Sequence, residues 1–255
     1  VVRGTPEEVD AAEPVHPDAG SDGSSAGAGA VDAGEEPSSD AAVSPVRLGV
    51  VPLPWVGGDA PVGAGEQAMA HLEVLAAGSR AVSLVRRWDE LYAAPFVARD
   101  EAWAELESAA ALYADARRTV LLCLSIVDGR VDARPDGASP GWYDIASRRA
   151  AEALVDRVWL TFGRELGYLV IGREVDRWLA RSDPSSRSAF VELVRHVLSY
   201  AQDHPARPES VRIGVTASRQ GWVSGLPELD ILRVESDVVA ATYFPLDADL
   251  RGPPP

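Results

Sequence analysis

The sequence of 255 residues has one cysteine, Cys123, and no lysine, so all 24 of its basic side chains are arginines. One cysteine excludes an internal disulfide framework and any zinc site built from several cysteines. No run of 18 apolar residues occurs, which excludes the usual pattern of a membrane-spanning helix. No signal-peptide pattern is visible, and a start at Val1 instead of methionine is what removal of a leader would leave.

Basic charge is scarce as well, because the formal net charge is −15, from 39 acidic and 24 basic side chains. Proteins that bind nucleic acid need a basic face to neutralise phosphates. No basic stretch of that kind is present, so we exclude nucleic acid as a partner. The acidic excess is concentrated at the start, where residues 1–45 carry a net charge of −9 and leave −6 for the remainder.

Residues 1–45 also lack aromatic residues, leucine and isoleucine. Such a segment cannot bury enough apolar surface to offset the entropy lost on ordering. We therefore predict a disordered, acidic, low-complexity linker over residues 1–45. It is either a tail without a role of its own or a spacer that tethers the next domain to an envelope or membrane anchor. The second interpretation predicts an extracytoplasmic protein, secreted or anchored to the envelope.

From residue 46 onwards, short apolar runs alternate with longer segments of helical periodicity. The runs are rich in β-branched residues and apolar on both faces, as expected of buried parallel strands. Six of them occur, at residues 46–53, 81–85, 119–126, 168–172, 211–216 and 238–243. Amphipathic helices are predicted between them at residues 65–77, 101–117, 143–166 and 184–204, with a shorter one near 226–232.

This alternation predicts an α/β fold with a parallel sheet and crossover helices. A closed (β/α)8 barrel takes about 250 residues, whereas 210 residues follow the predicted linker and six units are visible. The sequence therefore favours a barrel-type domain over residues 46–255 that lacks its last two units. An open six-stranded parallel sheet is the alternative.

Aromatic and charged side chains follow directly after the predicted strands, where parallel α/β folds carry their functional sites. Indole rings that stack on sugar faces, surrounded by hydrogen-bonding charges, would suit a groove for a polysaccharide or oligosaccharide. Alternatively, these rings only cap the rim of the sheet. The candidate substrate-binding residues are Trp55, Trp88, Asp128, Arg173, Trp178, Trp222 and Tyr243. No metal site or cofactor is predicted, because the four histidines lie in the linker or on predicted helices.

Glu174 is the candidate catalytic residue, because it follows the fourth apolar run at the mouth of the sheet. A carboxyl group that is half shielded from water there can have a raised pKa and serve as general acid to a glycosidic oxygen. The neighbouring Arg173 would lower that pKa if its side chain faced Glu174. A simple Arg–Glu pair at the rim is therefore the alternative.

Two segments carry a resemblance to a known family. The segment YLVIGREVDRWL (residues 168–179) resembles the fourth strand of the (β/α)8 glycoside hydrolases of clan A, which ends in Gly-Asn-Glu with the Glu as acid/base. The segment SDVVAATYFPL (residues 236–246) is similar to their sixth strand, and most of all to that of the arabinogalactan endo-β-1,4-galactanases, with their Asp-x-x-x-x-Ser-Tyr-Tyr-Pro pattern. The resemblance implies a retaining hydrolase with Glu174 as acid/base and Tyr243 near the substrate.

The sequence departs from that family in two places. Arg173 stands where the family has the asparagine that binds the sugar 2-hydroxyl, and the family's nucleophilic Glu belongs to a seventh strand. Retaining chemistry needs two carboxyl groups about 5–5.5 Å apart, and Asp89, Asp128 and Asp176 do not match the nucleophile position. Two functions stay open: a retaining glycoside hydrolase whose nucleophile is not in this chain, and a non-catalytic protein on the same scaffold that binds carbohydrate or contacts the envelope.

Overall fold

The structure is a computed structural model that describes residues 49–52 and 63–242. The predicted linker (residues 1–45) and two of the candidate site residues, Trp55 and Tyr243, lie outside the described residues. Statements below about numbers of elements, and about what is absent, refer to the described part of the chain.

The described residues form nine strands and eight helices. The strands are β1 (Gly49–Val50), β2 (Ala81–Arg87), β3 (Tyr92–Ala94), β4 (Val97–Ala98), β5 (Thr119–Asp128), β6 (Val131–Asp132), β7 (Leu166–Arg173), β8 (Arg212–Ser218) and β9 (Val238–Thr242). The helices are α1 (Ala64–Ala76), α2 (Trp88–Leu91), α3 (Asp100–Asp115), α4 (Ile145–Thr161), α5 (Val175–Leu179), α6 (Pro184–Asp203), α7 (Arg219–Val223) and α8 (Pro227–Val234).

The main sheet has seven strands. Six of them follow one another in the order β1-β2-β5-β7-β8-β9 with every neighbouring pair parallel, and the short β6 adds an antiparallel pairing to the end of β5. These six correspond to the six predicted apolar runs, so the α/β prediction is confirmed. The spatial order equals the chain order, whereas open doubly wound sheets reverse their order at a switch point. The topology is therefore that of consecutive units of a (β/α)8 fold.

Register divides the side chains of the sheet between two faces. Alternation places Leu122, Leu169 and Ile213 on one face, and these residues share a buried core with helix residues such as Trp103 and Phe190. The helices thus cover this face. The opposite face is the inner face of a barrel-type sheet, and its side chains come from the intervening positions: Ser83, Val85, Cys123, Ser125, Val170, Thr216 and Thr242.

The long helix α6 illustrates how local sequence signals set an element's bounds. The Asp183 carboxylate accepts hydrogen bonds from the backbone N–H groups of Ser185 and Ser186, each at 3.0 Å, and Pro184 occupies the first helical position. This arrangement satisfies donors that the helix itself leaves unpaired. The predicted start of the helix is confirmed, and its apolar stripe is buried against α4 and the sheet.

Candidate functional site

The turn from β7 into α5 presents Glu174 at the carboxyl end of the sheet. Gly172 (φ 78°) and Glu174 (φ 50°) both have left-handed backbone conformations, and Glu174 is the N-cap of α5. A Cβ on Gly172 would lie 2.5 Å from the Cγ1 of Val175, so only glycine fits this bend. Glu174 carries a conformational cost that a non-glycine residue rarely accepts without a structural or functional reason.

Glu174 is buried, with 6% of the residue exposed, and its carboxylate is bonded through both of its oxygens. Its Oε1 accepts a hydrogen bond from the Thr242 hydroxyl at 2.8 Å, and its Oε2 lies 3.0 Å from Nη1 of Arg177. A Cβ on Gly129, in the loop after β5, would lie 3.6 Å from the same Oε2. A buried carboxylate is stable only with such partners, and here a hydroxyl and a guanidinium supply them.

The contact with Thr242 shows to which side of the sheet Glu174 points. Thr242 ends β9 and is in register with Ser218 of β8, so one whole strand separates it from β7. Glu174 directly follows β7, so its side chain reaches Thr242 across the carboxyl end of β8. Glu174 therefore projects over the barrel interior at the end of the strands where (β/α)8 enzymes have their sites.

Arg173 faces a different carboxylate. Its Nη1 lies 3.5 Å from Oδ2 of Asp128, and the two residues are register partners on β7 and β5. The Arg–Glu pair proposed from the sequence is therefore not formed between Arg173 and Glu174. Glu174 instead pairs with Arg177, one helical turn further along.

A third charged pair lies at the same edge of the sheet, next to the Arg173–Asp128 and Glu174–Arg177 pairs. Nε of Arg87, at the end of β2, donates to Oδ1 of Asp89 at 3.0 Å. This hydrogen bond raises the pKa of Arg87 above its ordinary value, and the charge of Asp128 makes a smaller contribution in the same direction. Opposite charges thus alternate along the carboxyl ends of β2, β5 and β7, and the rim offers both donors and acceptors to a polar ligand.

The candidate tryptophans occupy different surroundings. Trp88 is 2% exposed and Trp178 is 9% exposed, and both belong to the core under the helices. The rings of Trp142 and Phe190 lie 4.9 Å and 4.5 Å from that of Trp178, so its faces are in contact with protein. Trp222 is partly buried and donates its indole N–H to the carbonyl oxygen of Ala240 at 2.8 Å. Trp88 and Trp178 thus pack in the core and Trp222 joins α7 to β9, and sugar binding by these indoles stays a prediction.

Asp176 is a buried carboxylate that ties two strand ends together. Its two oxygens accept hydrogen bonds from the backbone N–H and the hydroxyl of Ser218, both at 2.7 Å. Ser218 in turn accepts from the N–H of Gly221 at the start of α7. This clamp fixes the turn after β7 against the turn after β8, and so supports the position of Glu174.

Two residues of the site, Arg177 and Thr242, are absent from the sequence-based candidates. The spacing of Arg177 three residues after Glu174 on a short helix is a signal that could have indicated the pair. Thr242 directly precedes the candidate Tyr243, but its contact with Glu174 joins residues 68 positions apart and follows from the curvature of the sheet.

Among the described residues, no group of three or more His, Cys, Asp or Glu side chains could hold a metal ion. Within the same residues, no helix combines the length and the apolar character needed to cross a membrane. Cys123 lies on the inner face, and burial raises the pKa of its thiol to about 12. The described side chains around Glu174 are carboxylates, arginines and hydroxyls.

No family model and no curated protein sequence matches the chain, but solved structures do. A GH5_18 protein from Bifidobacterium longum subsp. longum ATCC 55813 matches at 14% identity with a TM-score of 0.52, over 65% of this chain and 42% of that one. The exo-β-1,4-mannosidase of Opitutaceae bacterium strain TAV5 matches at 14% identity and 0.51, over 69% and 34%. The GH5_18 protein from Streptomyces cattleya, solved in complex with GlcNAc, matches at 14% and 0.50, over 62% and 40%.

Over the matched residues, the chain has the same (β/α)-barrel type of fold as these three structures. This finding supports the clan A resemblance at the level of the fold. The chain spans between 34% and 42% of the lengths of these three structures. At 14% identity the likeness concerns architecture alone. None of the three is described as a galactanase, so the closer resemblance to galactanases stays a prediction.

Proposed function

We propose that this protein binds a saccharide at the carboxyl ends of β7 and β9 and takes part in cleavage of a glycosidic bond, with Glu174 as general acid/base. The observation that carries the proposal is the hydrogen bond between Glu174 and Thr242, which holds the carboxyl group over the inner face of the sheet. Clan A hydrolases, whose fold the chain shares, are expected to have their acid/base at this turn.

In the proposed retaining reaction, Glu174 in its acid form gives its proton to the glycosidic oxygen while a carboxylate nucleophile from outside the described residues bonds to the anomeric carbon and the bond from that carbon to the oxygen breaks. The resulting Glu174 carboxylate then takes a proton from the water that attacks the anomeric carbon and displaces the nucleophile. Arg177, at 3.0 Å, pairs with this carboxylate between the two events. We assign no nucleophile among the described residues.

A second function, saccharide binding without hydrolysis, is favoured by one specific observation. Both oxygens of Glu174 already have partners, and Arg173 is engaged with Asp128, so the charges at the rim are arranged in closed pairs. A site of this kind can hold a sugar through hydrogen bonds without transferring a proton.

Replacing Glu174 with glutamine is expected to lower kcat on a cleaved saccharide by about 100-fold or more, because general acid–base catalysis contributes on that scale. Glutamine keeps the shape and can still accept from Thr242, so binding should change less than turnover. Hydrolysis and equilibrium binding would be measured with mannosyl-β-1,4-GlcNAc, β-1,4-galactan and a β-glucan. Glu107→Gln, on the outer surface of α3, is the matched control.

The outcomes separate the two functions. Hydrolysis by the native chain that survives Glu174→Gln unchanged would remove Glu174 from the mechanism. Saturable binding without hydrolysis would support the second function, and the absence of both activities on the panel would contradict both.

A further inference from the structure

We infer that the protein has an anion site at the opposite end of the sheet from Glu174, formed by Arg117, Arg118 and Arg164, and that its ligand carries a phosphate or sulfate group. These residues lie at the amino-terminal ends of β5 and β7. Since β7 spans eight residues, about 25 Å separate the two ends of the sheet. The site is thus independent of the proposed saccharide site.

The three arginines come from two loops that the sheet brings together. Arg117 and Arg118 join α3 to β5, Arg164 joins α4 to β7, and Val120 of β5 is in register with Leu166 of β7. Their side chains line a cavity of about 310 Å³, which Ala114, Thr119 and Glu165 complete. A cavity of this size has room for a tetrahedral anion with a small organic group attached.

The charge of this cavity is opposite to that of the whole protein. Three guanidinium groups face one carboxylate, Glu165, whose Oε1 already accepts from the N–H of Gly163 at 2.8 Å. None of the three arginines forms an ion pair with another described residue. The chain has a net charge of −15, yet Glu165 is the one described carboxylate that lines this cavity, and it forms no ion pair with the three arginines.

Arg118 adds an unsatisfied donor beside the cavity. Its Nε is buried and has no hydrogen-bond partner among the described residues, as is also true of the Nε atoms of Arg148, Arg157 and Arg207. An unpaired buried donor costs free energy, and the cost is higher for a charged group. A rotation of the Arg118 side chain that turns Nε toward the cavity would let an anion accept this hydrogen bond in the bidentate geometry that guanidinium groups favour for phosphate and sulfate.

Arg117 gives a third observation. It follows the C-cap Ala116 of α3 and has a φ of 54°, a position where glycine is strongly preferred. Attraction to the negative end of the α3 dipole would explain arginines at this helix end. It does not explain Arg164, which belongs to another loop and lines the same cavity.

The test is a titration of the 255-residue chain with inorganic phosphate and with sulfate, against chloride at matched ionic strength. We expect saturable binding of both anions, seen as heat of binding and as a rise in Tm. The double variant Arg118→Gln with Arg164→Gln should weaken the affinity at least about tenfold, since two charge-assisted contacts are lost. Arg149→Gln, which does not line the cavity, is the control and should leave the affinity unchanged.

Arg117→Gly separates binding from stability. Glycine suits the left-handed position, so this variant should unfold at a higher temperature without ligand and yet bind phosphate more weakly. A purely structural role for Arg117 would instead lower the Tm. Equal responses of the native and double-variant chains to phosphate, or no saturable response, would overturn the inference. Binding of the polyanion heparin without any response to phosphate or sulfate would also overturn it.

Discussion

Replacing Gly214 with alanine is expected to detach β9 from the sheet and to lower the free energy of unfolding by about 3 kcal/mol or more. Gly214 of β8 is in register with Val238 of β9. A Cβ at this position would overlap the carbonyl oxygen of Val238 and lie 2.8 Å from its carbonyl carbon. Because the obstruction is backbone, no change of side-chain rotamer relieves it, and the strands must separate.

Loss of the pairing between β8 and β9 would also change the surroundings of Glu174. Thr242 is at the end of β9, so movement of that strand removes the hydrogen bond to Glu174. Denaturant unfolding followed by circular dichroism measures the change in stability. Gly65→Ala is a matched control, because a Cβ there meets nothing within 4 Å and alanine favours the helix α1. An unfolding midpoint for Gly214→Ala as high as that of the native chain would contradict the expectation.

A second large loss of stability is expected when Asp176 is replaced. Replacing it with alanine should cost about 3 kcal/mol of stability, because two hydrogen bonds to a buried carboxylate are lost and the N–H of Ser218 is left without its acceptor. The turns after β7 and β8 would then be free to move apart. Saccharide binding, where it occurs, should weaken along with stability, since the β7 turn also holds Glu174 in place.

Ser218→Ala provides the comparison for Asp176→Ala. It removes one hydroxyl donor to Asp176 and the acceptor that caps the Gly221 N–H, but keeps the backbone N–H of Ser218 bonded to the carboxylate, so a loss of about 1–2 kcal/mol is expected. A loss in Ser218→Ala larger than that in Asp176→Ala, measured by the same denaturant unfolding, would contradict the central role given to the carboxylate.

The strands of the main sheet could be predicted because each is a short apolar run bounded by polar or glycine-containing turns. Chain length and the number of units favoured a barrel-type topology over an open sheet, but the strand order that distinguishes the two is not contained directly in the sequence. The β3–β4 hairpin and the short helices α2, α5 and α7 were not predicted, since elements of two to five residues are too short to show periodicity.

The candidate site was predictable only in part. Glu174 could be placed from its position after a strand, but its partners Thr242 and Arg177 required the fold of the chain. The sequence also could not distinguish a buried indole from an exposed one. Trp88 and Trp178 lie just beyond strands, as a rim residue would, yet α2 and α5 turn them into the core.

The arginine cavity at the other end of the sheet was not predicted for a related reason. Arg118 and Arg164 are far apart along the chain, and net charge counted over long segments conceals a local cluster. Only the parallel pairing of β5 with β7 brings the two loops side by side.

The bend between β7 and α5 has a consequence for protein engineering. Gly172 must lack a side chain because of Val175, and Glu174 must tolerate a left-handed backbone, so neither residue keeps its geometry alone. Transferring Glu174 with its present geometry into another scaffold would therefore require moving residues 172–175 together. Within these four residues, position 173 should tolerate substitution best, because the Arg173 side chain contacts Asp128 on the neighbouring strand β5 and does not contribute to the bend.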